Sequence, residues 1–196
     1  MLTVSVAYAL QRLRDDVPVS TALPVLAEVG RFQLTNQFSI RVGREELEGY
    51  VWLVNVIFSR CPGQCHQLSL QMAELQRKLP QELPIRLISL TADPEFDSPA
   101  VLHRYAGRYG AESNRWLFLT GPKREVYDLA MQGLKFSVVE NENARDATID
   151  ELFIHSASFA LVDRQGRLRS MVQIEDRDAI SRILKEARAL AEEPWK

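Results

Sequence analysis

An apolar segment that leads directly into a pair of cysteines constrains the fold of this chain more than any other feature. The segment spans residues 51–58, and the only two cysteines, Cys61 and Cys65, follow it closely. Its almost continuous apolar character is typical of a buried strand, so both thiols are expected at the end of one strand. The three intervening residues, including Pro62, keep the sulfurs close enough either to form a disulfide or to bind one soft metal ion together.

A helix is predicted to begin at the second cysteine. Leu68, Met72, Leu75 and Leu79 advance by four, three and four residues, as one face of a helix does. Cys65 would then lie at a helix N-terminus, where unpaired N–H groups and the helix dipole favour anions. We therefore expect its thiolate to form below the ordinary thiol pKa of about 8.5. A structural disulfide, the alternative interpretation, needs no such placement.

Length and composition limit the class of protein. The 196 residues, 46% of them hydrophobic, are sufficient for one globular domain, and we predict an N-terminal extension over 1–23 and a domain over 24–193. Charges are balanced, with 24 basic and 26 acidic residues and no dense Lys/Arg run, which argues against nucleic acid as a partner. Two cysteines are too few for an all-cysteine metal site, so a metal would also require histidine, carboxylate or a partner.

The first ten residues are apolar, but they are too few to span a bilayer and lack a basic leading region. Two interpretations stay open. The chain is a soluble portion of a longer precursor, or its start forms an amphipathic segment that docks on the domain or on a partner.

Strands and helices alternate along the remaining chain. The predicted order is βαβαβαββα, with strands near 31–35, 50–58, 85–90, 116–120, 157–162 and 168–174 and helices after most of them. Such alternation favours parallel pairing, and a terminal hairpin through Gly166 adds antiparallel strands. The sequence thus predicts an α/β, thioredoxin-like fold with a mixed central sheet and helices on both faces.

Two smaller features complete these expectations. Asp176 is expected to cap the last helix. The polar stretch 139–150 is interpreted either as a mobile active-site flap or as a tolerated surface insertion.

Three histidines could contribute to a metal site: His66, His103 and His155. In a thioredoxin-like arrangement the loop before the hairpin returns beside the cysteines, which makes His155 the best-placed third ligand. His66 adjoins Cys65 but is expected to interact with solvent or the helix dipole, although its position leaves metal binding open. His103 is predicted to lie on an outer helical face without a role.

Four segments together resemble the Sco/SenC family of copper-binding, thioredoxin-like proteins linked to cytochrome c oxidase assembly. They are FSRCPGQC at 58–65, SLTADPEFDSP at 89–99, LTG at 119–121 and IHSASFALVD at 154–163, and the resemblance covers about residues 24–190. On this resemblance Cys61, Cys65 and His155 fall on the family's copper ligands. Asp93 and Asp97 belong to the second segment, and we interpret them as turn and capping residues.

The resemblance implies a metallochaperone for Cu(I) or Cu(II). Its partners would be the copper-bearing subunit of cytochrome c oxidase and other copper or thiol carriers. Its location would be the periplasmic side of the cytoplasmic membrane, with membrane association only through an N-terminal anchor that this sequence does not include. The sequence departs from the family at His66, where a proline is usual, and at Gly63 and Gln64, where an acidic residue is common. These departures bear on partner recognition.

Other classes of function use the same residues differently. Cys61 and Cys65 could be a redox-active pair that forms a disulfide, in a thiol-disulfide reductase acting on the oxidase copper-site cysteines. No proline precedes the Ala157 strand, where thioredoxins carry a cis-proline that docks substrate. A peroxiredoxin-like peroxidase would need one low-pKa cysteine and a poised arginine, for which Arg60 is the candidate. A structural interaction module would bind no metal.

Overall fold

The computed structural model of the protein describes residues 22–61, 63–136, 139–140, 153–154 and 157–195. Ten strands lie in the described ranges: β1 Ala27–Glu28, β2 Gln33–Asn36, β3 Arg41–Gly43, β4 Val51–Ile57, β5 Ile85–Thr91, β6 Trp116–Thr120, β7 Val139–Glu140, β8 Phe153–Ile154, β9 Ser158–Val162 and β10 Arg167–Gln173. The described helices are α1 Arg44–Leu47, α2 Gln64–Lys78, α3 Pro99–Arg108, α4 Lys123–Asp128 and α5 Ala179–Glu192, and α4 continues into a π-helical turn, Leu129–Gly133.

Eight strands form one mixed sheet in the order β1-β10-β9-β4-β5-β6-β2-β3. The central strands β4, β5 and β6 are parallel, whereas β9 is antiparallel to β4 and β10 is antiparallel to β9. β4 is buried along its whole length, as its apolar sequence predicts. Because β4 and β5 are parallel, the loops that leave their carboxyl ends meet at one edge of the sheet, and this edge carries the cysteines.

Helices cover both faces of the sheet. On β4, Trp52 points toward α1, where its indole N–H donates to the carbonyl of Leu47 at 2.8 Å. Asn55, three residues further on, points to the opposite face, in the row that continues to Phe118 of β6. Phe118 contacts Tyr105 of α3 edge-on, with ring centroids 6.0 Å apart. The mixed sheet between helices on both faces is therefore confirmed.

The predicted helix after the cysteines is confirmed. α2 buries Leu68, Met72 and Leu75 in the core, and Leu79 follows its last residue, also buried. The predicted start of α3 is confirmed as well, because the Ser98 side chain accepts a hydrogen bond from the amide of Val101.

Several local predictions are wrong. β1 and β3 were not predicted, since strands of two and three residues give no alternating pattern. Asp176 does not cap α5: the helix begins at Ala179, and Asp176 instead accepts the Ala179 amide through its backbone carbonyl in the preceding turn. The interpretation of the polar stretch 139–150 as a flap or an insertion stays a prediction: residues 139 and 140 form β7, which pairs with β8, and the remainder lies outside the described residues.

Among the described residues, no helix is both long and apolar enough to cross a bilayer.

Candidate metal and dithiol site

The two cysteines lie at the start of α2, directly after the buried strand β4. The amide of Cys61 donates to the carbonyl of Phe58 at 3.2 Å, which turns the chain back toward the helix. The amide of Cys65 then donates to Sγ of Cys61 at 3.3 Å. Both cysteines are in the thiol form, with Cys61 half-buried and Cys65 fully buried. One sulfur is thus accessible from solvent and the other belongs to the core.

The predicted position of Cys65 is confirmed, but the predicted lowering of its pKa is wrong. The hydrogen bond with Cys61 and the burial of the thiol raise the pKa of Cys65 above its ordinary value, and the nearby charge of Asp97 raises it further. The helix end acts on the other sulfur, because the N–H group of Cys65 is directed at Cys61. Cys65 is therefore held as a protonated thiol.

Asp97 joins the cysteine loop to the end of β5. Its side chain is completely buried and accepts hydrogen bonds from the Ser59 hydroxyl, from the Ser59 amide at 3.1 Å and from the Thr91 hydroxyl at 2.5 Å. Burial raises the pKa of the Asp97 carboxyl, and these hydrogen bonds offset part of that effect. The predicted capping role of Asp97 is wrong, since Ser98 caps α3; Asp97 instead fixes the loop that precedes Cys61.

Asp93 forms a second link between the same two loops. Its backbone carbonyl accepts the amides of Phe96 and Asp97, which confirms the predicted turn. Its side chain forms an ion pair with Arg60 at 2.5 Å, and the Arg60 guanidinium lies 4.3 Å from the centroid of the Phe96 ring. Arg60 is therefore engaged next to Cys61. Neither this pairing nor the raised pKa of Cys65 favours a peroxidase, which needs a reactive thiolate beside an available arginine.

Two of the three histidines lie within the described residues, and their surroundings differ. Nδ1 of His66 lies 2.9 Å from the hydroxyl of Tyr109, so its ring is oriented toward α3. The ring of His103 contacts Phe38 edge-on at 5.4 Å, on the exposed surface of α3, in agreement with an outer position. His155, the predicted third ligand, lies outside the described residues.

The topology brings the start of β9 to the cysteine edge. β9 is antiparallel to β4, with Val54 opposite Ala160 and Trp52 opposite Val162, so Ser158 lies toward the carboxyl end of β4. His155 precedes Ser158 by three residues in the sequence. The described part of the chain contains no group of three or more His, Cys, Asp or Glu side chains that could hold a metal ion. A site with three ligands therefore requires a contribution from outside the described residues.

Sequence reasoning missed the polar links of the site. Ser59 and Thr91 were not singled out, and Arg60 was considered only as a peroxide-binding residue. A usable signal exists, because Ser59 and Thr91 each stand at the carboxyl end of an apolar, parallel strand. Polar side chains at such positions meet at one edge of the sheet.

Mixed sheet, flanking helices and a dithiol at the start of the helix after a central strand together define a protein of the thioredoxin-like class. Residues 21–192 match the model of the SCO1/SenC family. The chain belongs to this family, and the predicted resemblance is confirmed.

Individual relatives support this assignment. A SCO1 protein homolog of Bacillus subtilis is 35% identical over 147 residues, which cover 74% of this chain and 73% of the relative. A SCO1/SenC family lipoprotein from Bacillus anthracis has a similar structure, with a TM-score of 0.77 and 25% identity, covering 88% of this chain and all of that one.

Two further solved structures bear on the site. BsSco, described with a disulfide switch and as a member of the Sco family of cytochrome c oxidase assembly proteins, gives a TM-score of 0.75 at 28% identity, covering 89% of this chain and 100% of that chain. Yeast Sco1 with copper bound gives a TM-score of 0.65 at 25% identity, covering 85% of this chain and 90% of that chain.

Proposed function

We propose that the protein is a copper metallochaperone that binds one copper ion through Cys61, Cys65 and His155. It would deliver this ion to the copper-bearing subunit of cytochrome c oxidase. The observation that carries the proposal is the placement of the two cysteines at the start of α2, where the Cys65 amide donates to Cys61 Sγ at 3.3 Å and holds that sulfur beside Cys65. Copper-bound yeast Sco1 supports the choice of metal, and the description of BsSco supports the link to the oxidase.

The donor set suits copper as an exchangeable cargo. Thiolate sulfur and imidazole nitrogen are soft enough to favour Cu(I), and Cu(II) also accepts imidazole nitrogen. Binding requires both thiols to lose their protons, so the raised pKa of Cys65 makes copper and protons compete for the same sulfur. Half-buried Cys61 offers a side from which an incoming thiolate can approach the ion, whereas Cys65 anchors it to the core.

The remaining parts of the proposal follow the relatives. We place the domain at residues 24–193, close to the matched range 21–192, with residues 1–23 as an extension. The relative described as a lipoprotein supports action at a membrane surface, and we place the protein on the periplasmic side of the cytoplasmic membrane.

A second function uses the same two sulfurs without metal. Cys61 and Cys65 would be oxidised to a disulfide while a disulfide of the oxidase copper site is reduced to two thiols, so that two electrons and two protons pass to the partner. The closeness of the thiols and the disulfide switch described for BsSco favour this thiol-disulfide reductase as the alternative.

Copper transfer to an oxidase fragment tests the proposal. The Cu(I)-loaded protein is mixed with the reduced, copper-free fragment, and the metal content of both is measured after separation. We expect copper to move to the fragment, and Cys61→Ser to abolish the movement, whereas the control His103→Ala transfers normally. Retention of copper, combined with reduction of a disulfide in the oxidised fragment, would replace the metallochaperone with the reductase.

A further inference from the structure

A cavity beside the cysteine loop is lined with positive charge. It has a volume of about 230 Å³ and lies between the loop residues Ser59 and Arg60 and the side chains of Phe96, Arg104 and Arg108. Ser59 and Arg60 directly precede Cys61 in the sequence. Whatever occupies this cavity therefore contacts the loop that leads into Cys61, whose sulfur is the accessible one of the proposed copper site.

The charges of the cavity are only partly neutralised. Arg60 is paired with Asp93, which is itself buried. Arg104 and Arg108 are exposed, and neither forms an ion pair among the residues that the structure describes. They stand four residues apart on α3, where like charges destabilise a helix. Within the described ranges the wall thus has two guanidinium groups without an acidic partner, although the chain as a whole carries a net charge of -2.

The volume of the cavity limits the size of the group that it can hold. Whole small-molecule ligands are bound in pockets of roughly 300–1,000 Å³, so a smaller cavity suits one or two inserted side chains. Phe96 is 45% exposed at the rim and adds apolar contact area next to the arginines. Guanidinium groups form paired hydrogen bonds with carboxylates, and an exposed aromatic ring covers the carbon chain of the inserted residue.

We propose that this cavity docks an acidic segment of the protein that exchanges copper with Cys61. The proposal rests on the proposed function and names the partner's chemistry: one or more Glu or Asp side chains insert between Arg104 and Arg108, close to the partner's own copper ligands. Such docking steers the two proteins together and brings the incoming ligand to the accessible sulfur.

A short acidic peptide probes the docking surface without copper. The ¹⁵N-labelled full chain, reduced and metal-free, is titrated with hexaglutamate, and with hexaglutamine as the uncharged control. We expect hexaglutamate to shift the amide resonances of Ser59, Phe96, Arg104 and Arg108, and the effect to fade as salt rises from about 0.05 M to about 0.5 M. No response, or a response elsewhere on the surface, overturns the proposal.

Two double variants isolate the charges concerned. Arg104→Gln with Arg108→Gln removes two charges from the cavity. Arg77→Gln with Arg188→Gln removes the same number at the far end of α2, where Arg188 donates to the Lys78 carbonyl. That end lies about 20 Å from the cysteines, since a helix rises about 1.5 Å per residue. We expect only the first variant to lose the hexaglutamate response.

Copper transfer connects the surface to function. We expect transfer from the Arg104/Arg108 variant to the oxidase fragment to be about tenfold slower than from the wild type at low salt, and transfer to a small uncharged chelator to be unchanged. Transfer at the rate of the Arg77/Arg188 control overturns the docking proposal and leaves the proposed function intact. If the wild type binds hexaglutamate at the cavity but transfers no copper, the proposed function fails and the docking surface stands.

Discussion

Each end of the central sheet buries an aspartate, but the pKa of the carboxyl is raised at one end and lowered at the other. At the cysteine end, Asp97 accepts hydrogen bonds from Ser59 and Thr91, and burial raises the pKa of its carboxyl. At the far end, Asp163 is paired with Arg167 at 2.7 Å and with Arg169 at 2.8 Å. Although burial alone would raise the pKa of Asp163, hydrogen bonds from the two arginines bring it below its ordinary value.

The far end is held by paired charges, whereas the cysteine end carries the residues that we propose to bind copper. The Arg169 side chain is only 4% exposed and also binds Glu193, so the far end ties the hairpin to the chain after α5 through compensated charges. The cysteine end places a carboxylate near two thiols without a cation of its own among the described residues that contact Asp97. A bound copper ion would supply the missing positive charge.

The largest expected contrast is in stability. Asp163→Asn replaces the carboxylate oxygen that faces Arg169 with an NH₂ group. Two hydrogen-bond donors then face each other and the buried guanidinium loses a partner, so we expect a loss of about 3 kcal/mol in the free energy of unfolding. Asp97→Asn keeps an oxygen for the Ser59 amide and Thr91, and its NH₂ group can donate to the Ser59 hydroxyl. We therefore expect a change below about 1 kcal/mol. Urea unfolding of the reduced proteins at neutral pH measures both, and equal losses would break the comparison.

The same contrast gives opposite pH dependences. The folded-state pKa of Asp97 lies above its ordinary value of 3.8, so the folded protein takes up this proton first and stability increases as pH falls through the folded pKa toward 3.8. The folded-state pKa of Asp163 lies below 3.8, so its contribution is present above 3.8 and is lost as pH falls through the folded pKa.

Unfolding curves across this range distinguish the two groups. We expect Asp97→Asn to remove the gain in stability on mild acidification and Asp163→Asn to remove the loss at lower pH. If both variants changed the profile in the same direction, the assignment of opposite environments would be wrong.

A smaller effect concerns the thiols. Because the charge of Asp97 is one of the causes that raise the pKa of Cys65, Asp97→Asn should lower that pKa. The thiolate is the reactive form, so the rate at which a small alkylating reagent modifies Cys65 at one fixed pH reports the change, with Asp163→Asn as the control at the far end. An unchanged alkylation rate in Asp97→Asn would mean that Asp97 does not influence the site electrostatically.

The smallest effects are expected at the half-exposed arginines of the two ends. The side chain of Arg60 is 37% exposed in its pair with Asp93, and that of Arg167 is 33% exposed in its pair with Asp163. Solvent screens such pairs, so Arg60→Gln and Arg167→Gln should each cost about 0.5–1 kcal/mol in urea unfolding. A loss near 3 kcal/mol at Arg60 would show that the cysteine end also depends on a strong ion pair.

The sequence predicted the fold where apolar periodicity is regular. β4, α2 and β5 carry such patterns and occur where expected. The short strands β1 and β3 depend on pairing with β10 and β2, which no local pattern specifies.

The two cysteines of the candidate site could be predicted from the sequence, but the residues around them could not. Cys61 and Cys65 are close in sequence, whereas the hydrogen bond between Ser59 and Asp97 joins residues 38 positions apart. The pKa of Cys65 likewise depends on burial, which the helix position alone did not reveal.

We propose that copper binds to Cys61, Cys65 and His155. A Cu(I) titration against a competing chelator tests it most directly, applied to the reduced wild type, His155→Ala and the control His103→Ala, whose ring contacts Phe38 instead. We expect His103→Ala to bind like the wild type and His155→Ala to lose more affinity than the roughly 10- to 100-fold typical of changes around the ligands. Wild-type affinity in His155→Ala would contradict the three-ligand site.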